Sequence, residues 1–86
     1  MDRAAEVARI KADFAARDAA WRLAIRARLA QGAATSQQLV DACGSSIEGP
    51  FWSFHYDLRR EGVLVAVGIT PGPKGDEFLW EWAGDD

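Results

Sequence analysis

Few residues in this 86-residue chain are of a type that does chemistry unaided. The one histidine, His55, has no second His, Cys or carboxylate at ligand spacing, so a packed, hydrogen-bonded imidazole is expected rather than a metal ligand. The one cysteine, Cys43, has no partner for an internal disulfide and reads as a small buried apolar residue. Asp57 and Glu61 stand four apart, a spacing at which a helix lets two carboxylates share a cation, yet such a pair is commonly just solvated. The sequence has no nucleophile next to a base and no phosphate-cradling loop; Gly72 and Gly75 with their prolines suit a turn between strands, not a strand-to-helix junction. No catalytic, cofactor or metal residue is therefore assigned, and an enzyme is not expected.

Recognition chemistry is better represented, and it concentrates between Gly49 and Leu64, GPFWSFHYDLRREGVL. On a helix turning 100° per residue, Phe54, His55 and Leu58 fall within about 60° of Phe51 and form one buried stripe. Trp52, Ser53, Tyr56 and Arg60 fall on the opposite side, with Arg59 at its flank. Three uses of that outer face stay open. Trp52 and Tyr56 can fill a groove against the rest of the chain while the arginines are solvated. Arg59 or Arg60 can reach a guanine edge or a phosphate in a DNA major groove. The face can also meet a protein, because Trp, Tyr and Arg are the residue types enriched at interface hot spots.

The elements that must position this face follow from the rest of the chain. Residues 2 to about 31 are rich in Ala, Arg, Leu and Glu with no Gly or Pro before Gly32, which predicts a long first helix. Val7, Ile10, Phe14, Trp21 and Ile25 stay within about 30° of one direction on it. A break near Arg17-Asp18, with Asp18 as a new N-cap, is the alternative. If the helix is continuous, Val7, Ile10 and Phe14 project beyond a domain of this size and need covering, which a second subunit can supply. Arg22 and Arg26 share a face away from Trp21 that can run beside phosphates or simply be solvated.

Gln31 to Ala34 reads as a turn, after which Thr35 or Ser36 caps a second helix reaching Cys43, with Leu39, Val40, Ala42 and Cys43 as its apolar face. Gly44 suits a left-handed helix end, and Pro50 suits the first position of a third helix that stops before Gly62. The period then changes from 3.6 to 2. VLVAVGI and EFLWEW read as two strands of a hairpin, the second with Phe78, Trp80 and Trp82 on one face and Glu77, Leu79 and Glu81 on the other. Thr70 to Asp76 is read as the loop between them.

This order resembles the winged helix-turn-helix superfamily. TSQQLVDACG matches the second helix and its turn, FWSFHYDLRREGVL the recognition helix, and TPGPKGD the wing; the closest local match is Leu58 to Leu64, where a leucine four residues before glycine packs inward and the chain turns into the first wing strand. The turn is longer than usual, because Ser45 and Ser46 precede Ile47 and Gly49-Pro50 delays the next helix. The resemblance implies an α+β fold: a single domain over 1–86 of three helices, the first long (1–31), a helix-turn-helix over 35–61 and a two-stranded hairpin wing over 62–82. It implies a small DNA-binding transcriptional regulator, dimeric through Val7, Ile10 and Phe14. Trp52, Ser53, Tyr56, Arg59, Arg60 and Lys74 are then the contacting residues. A winged-helix module that binds another protein, as adaptor or inhibitor, is the alternative.

Charge bears on that choice. Residues 1–30 hold seven basic and four acidic side chains, while the remainder holds three basic and nine acidic, for a net −3 overall. The expected reading surface is thus near neutral or acidic, whereas duplex binders usually carry a basic stripe. There is no apolar run near the roughly 18 residues of a membrane span and no charged-then-apolar leader pattern, so a cytoplasmic location is expected.

Overall fold

The computed structural model describes residues 2–45 and 49–84. The architecture is α+β: helix α1 (Arg3–Leu29), strand β1 (Ala34–Thr35), helices α2 (Ser36–Cys43) and α3 (Pro50–Glu61), then strands β2 (Leu64–Gly72) and β3 (Gly75–Trp82). The strands form one antiparallel sheet in the order β1-β3-β2.

Helix α1 is continuous. Asp2 caps it by accepting from the Ala4 N–H at 3.0 Å, and Arg26 and Arg28 sit in its last turn, where they offset the negative end of the helix dipole. Asp18 does not start a new helix; its carboxylate pairs with Arg17 at 3.3 Å instead. At 1.5 Å per residue the rod is about 40 Å long, and only its C-terminal half, through Trp21, Ile25 and Leu29, joins the core. Val7, Ile10 and Phe14 continue the same stripe but remain exposed, which accounts for the long dimension of a 52 × 30 × 20 Å molecule.

The core draws Ile25 and Leu29 from α1, Leu39 and Val40 from α2, Phe51 and Leu58 from α3, and Ala34, Leu64 and Trp80 from the sheet. Trp21 wedges edge-on against Phe51 and Phe54, at 5.9 and 5.8 Å between ring centroids. Ala42 is exposed and takes no part, contrary to the expected apolar face of α2, since Leu39, Val40 and Cys43 already fill the narrow contact with α1.

Two expectations about the sheet need correcting. It has three strands, not the two of a simple hairpin. Ala34 and Thr35, expected to be turn and cap, pair with Trp80 and Leu79 before Thr35 caps α2 in a reciprocal capping box with Gln38. The hairpin is also longer than expected, because Thr70 to Gly72 and Gly75-Asp76 belong to the strands and only Pro73-Lys74 turns. Pro71 is tolerated since β2 is an edge strand, where a missing N–H breaks no ladder bond on the outer side.

Helix α3 is held between two glycines in conformations that side chains disfavour. Gly49 (φ 52°) leads into Pro50, and Gly62 (φ 79°) ends the helix while the Val63 N–H donates to the Leu58 carbonyl at 3.1 Å. Ser46, Ile47 and Glu48 of the lengthened turn lie outside the described residues, as do Asp85 and Asp86 of the acidic tail.

Candidate functional site

The buried stripe of α3 is the expected one, Phe51, His55 and Leu58 with Phe54 half-buried beside them. His55 is fully enclosed. Its Nε2 lies 3.2 Å from the Ser36 hydroxyl, which accepts from the Trp80 indole N–H at 3.0 Å, and its ring meets Trp80 edge-on at 4.9 Å. Burial first, and then the nearby Arg59 cation, lower its pKa to about 4. Because Ser36 receives the Trp80 proton, its own proton is free to point at Nε2, the arrangement that a neutral imidazole accepts. A serine thus stands beside a histidine, 19 residues apart in sequence, which no local motif announces. Nδ1 has no hydrogen-bond partner among the described residues, and no carboxylate orients the ring from behind. The Ser36–His55–Trp80 contact therefore ties α2, α3 and β3 together under the exposed face.

That face is divided by its neighbours. Around the helix, His55 and Arg59 lie about 40° and 80° from Phe51, and both meet Trp80, so the hairpin stands on this side. Trp52, Tyr56 and Arg60 follow at about 100°, 140° and 180°. Asp57 and Glu61 come last, at about 240° and 280°, on the side where Trp21 of α1 touches Phe54 and Arg22 holds Glu61 at 3.2 Å. Arg59 thus borders the hairpin and Glu61 borders α1, while Arg60 lies between them at the crest, over Tyr56 and beside Asp57 and Glu61.

The sheet repeats the division. Paired residues share a face, so Trp82, Trp80, Phe78 and Asp76, with their partners Leu64, Ala66, Ile69 and Pro71, lie on the side of α3. Val65 with Glu81, Gly68 with Leu79, and Thr70 with Glu77 lie on the other. Glu77 and Glu81 consequently face away from α3. The hairpin outruns the core, leaving Ile69 and Phe78 64% and 54% exposed on the inner side.

All six expected contact residues are exposed. Trp52, Tyr56, Arg59 and Arg60 are brought together; Ser53 sits at the crest of the helix, and Lys74 is on the hairpin tip, on the order of 25 Å along the strand from its base. Two guanidiniums rest on rings, Arg59 over Trp80 at 5.0 Å and Arg60 over Tyr56 at 5.9 Å. Trp52 and Tyr56 do not fill an internal groove. Phe78 and Ile69 were not foreseen as exposed, since the alternation of β3 aligns Phe78 with the buried Trp80 and says nothing of where the core stops. Arg22 is not a solvated phosphate contact, because it pairs with Glu61 and lies 5.2 Å from the centre of the Trp82 ring.

Cys43 is half-buried, its thiol 3.8 Å from the Trp21 carbonyl and its pKa pushed up to about 11 by burial. Among the described residues no three His, Cys, Asp or Glu side chains gather as a metal site, and no helix is long and apolar enough to cross a membrane. Compared with family models, curated proteins and solved structures, the chain matches none.

Proposed function

We propose that the chain is a winged helix-turn-helix module acting as a small transcriptional regulator, with α3 entering the major groove of double-stranded DNA and the β2–β3 hairpin serving as the wing. One observation carries this reading: among the described residues, three of the acids that make the region look unfavourable to phosphates are paired or lie on the far face of the sheet. Glu61 is paired with Arg22, and Glu77 and Glu81 occupy the far face of the sheet. Arg59 lies beside the hairpin, Arg60 lies at the crest of α3 next to Asp57 and Glu61, and Lys74 is at the hairpin tip near Asp76. Val7, Ile10 and Phe14 of α1 supply the dimer contact.

Salt-dependent binding tests it. Three neutralised phosphates give a log–log slope of about −2.7 with duplex DNA, so affinity falls about 40-fold between 50 and 200 mM salt, and Arg60→Ala removes about 0.9 from that slope. A second reading, a protein-binding module, draws on the 43% exposed Trp52 beside Tyr56 and the arginines, which are hot-spot residue types. Undetectable duplex affinity at low salt, together with a copurifying protein that is lost on Trp52→Ala, would decide for it.

A further inference from the structure

We infer that the cleft between α3 and the hairpin takes unpaired nucleic-acid bases, which stack on the exposed rings of Trp52, Tyr56 and Phe78. The inference rests on the nucleic-acid part of the function proposed above and adds the form of the ligand.

Its basis is the character of the exposed groups on the near side. A duplex offers phosphates and base edges, and edges are read by hydrogen-bonding side chains. On the near side the large exposed groups are instead flat and apolar: Trp52 and Tyr56 on α3, and Phe78 with its cross-strand partner Ile69 on the hairpin. Against a groove edge such groups can do little more than contact a thymine methyl, but they match the whole faces of bases, which are available only when a strand is unpaired. Two of the three rings, Trp52 and Phe78, belong to one run of contacts: Trp52 meets His55 at 5.2 Å, His55 meets Trp80 at 4.9 Å, and Trp80 meets Phe78 at 5.8 Å. Buried rings thus support exposed ones, so the platform is rigid before a ligand arrives. Arg59, exposed and 5.0 Å over the centre of the Trp80 ring, adds a guanidinium, a group on which a base can also stack. Charge complements the strand as well, with Arg60 over Tyr56 and Lys74 at the tip available for phosphates, Glu61 neutralised by Arg22, and Glu77 and Glu81 on the far face of the sheet.

The experiment compares a labelled 12-nucleotide oligo(dT) with a random-sequence duplex of the same length, using the full chain at 50 mM salt, read by anisotropy and by tryptophan fluorescence. Oligo(dT) should bind at least as tightly as the duplex and quench the fluorescence. Trp52→Ala and Phe78→Ala should each weaken oligo(dT) roughly 10-fold, several-fold more than they weaken the duplex, while Arg60→Ala weakens both alike. Trp52→Phe and Phe78→Tyr, which keep a ring, should retain binding, and a urea midpoint for each variant separates lost stacking from lost folding. Duplex binding with the expected salt slope but no response to Trp52→Ala or Phe78→Ala overturns the stacking inference and leaves the regulator standing. Binding of neither nucleic acid overturns both. Tight binding of an acidic aromatic peptide without oligo(dT) binding assigns the cleft to a protein and overturns the inference too.

Discussion

Arg59 lays its guanidinium over the indole of Trp80, 5.0 Å from the ring centroid, so that the exposed face of α3 and the central strand of the sheet share one contact. The same cation helps keep the enclosed His55 neutral, after burial, which is the larger cause. The exposed face of α3 and the integrity of the core are therefore coupled at this point.

Stability should fall with acid before the carboxylates titrate. The unfolded chain protonates His55 near its ordinary value of 6.5, while the folded chain resists until about 4, so the unfolded state holds more protons between those limits. The stabilisation is complete above about 6.5, declines as the pH falls, and is gone by about 4. The loss amounts to roughly 2 kcal/mol by pH 5. Urea midpoints at pH 7 and 5 measure it, and His55→Gln should flatten the difference. A folded-state titration of the imidazole near 6.5 by NMR would contradict this account.

Ser36→Ala should cost about 1–3 kcal/mol. It strands the Trp80 indole N–H and the His55 Nε2 inside the protein, since both depend on the one hydroxyl. Chemical denaturation reads the loss, and the near-ultraviolet dichroism of the tryptophans should change with it. Unchanged stability would mean that neither group depends on Ser36.

Gly62→Ala should destabilise by about 1–2 kcal/mol. Nothing lies within 4 Å of the added Cβ, so the cost comes from the backbone at φ 79° alone. A thermal scan tests it; equal melting temperatures would show that the end of α3 relaxes without penalty.

Replacing Val7, Ile10 and Phe14 together by Ser should leave the fold intact, because none of them touches the core, and should abolish any dimer. Light scattering at high micromolar concentration distinguishes two protomers from one. A monomeric wild-type protein would remove the dimer from the proposed function.

Much of the frame can be read from residues whose effect is local. Pro50 and Gly62 bracket α3, and the spacing of Phe51, His55 and Leu58 marks its inner side, because capping and periodicity act within a few residues. Strand β1 is different, since two residues carry no periodicity and are extended only because Trp80 and Leu79, some 45 positions later, lie alongside. The extent of the hairpin depends likewise on strand order, which makes Pro71 acceptable. The division of charge was hidden for a related reason. A helical wheel places Arg59 and Glu61 at their angles, but only tertiary packing reveals that the hairpin stands beside one and α1 beside the other.

The irregularity in the β2 ladder has a consequence of its own. Ala66 pairs with Trp80 and Gly68 with Leu79, leaving Val67 as an extra residue. Up to Ala66 the even-numbered side chains of β2 point toward α3; past Val67 the odd-numbered ones do. That single inversion of parity presents Ile69 to the cleft where Gly68 would otherwise have stood, and sends Thr70 to the opposite side. Deleting Val67 would straighten the ladder yet leave Gly68 opposite Leu79 and Ile69 opposite Phe78, whereas drawing Val67 into regular pairing would exchange the inner and outer surfaces beyond it, so the character of the hairpin tip depends on that one peptide unit staying unpaired.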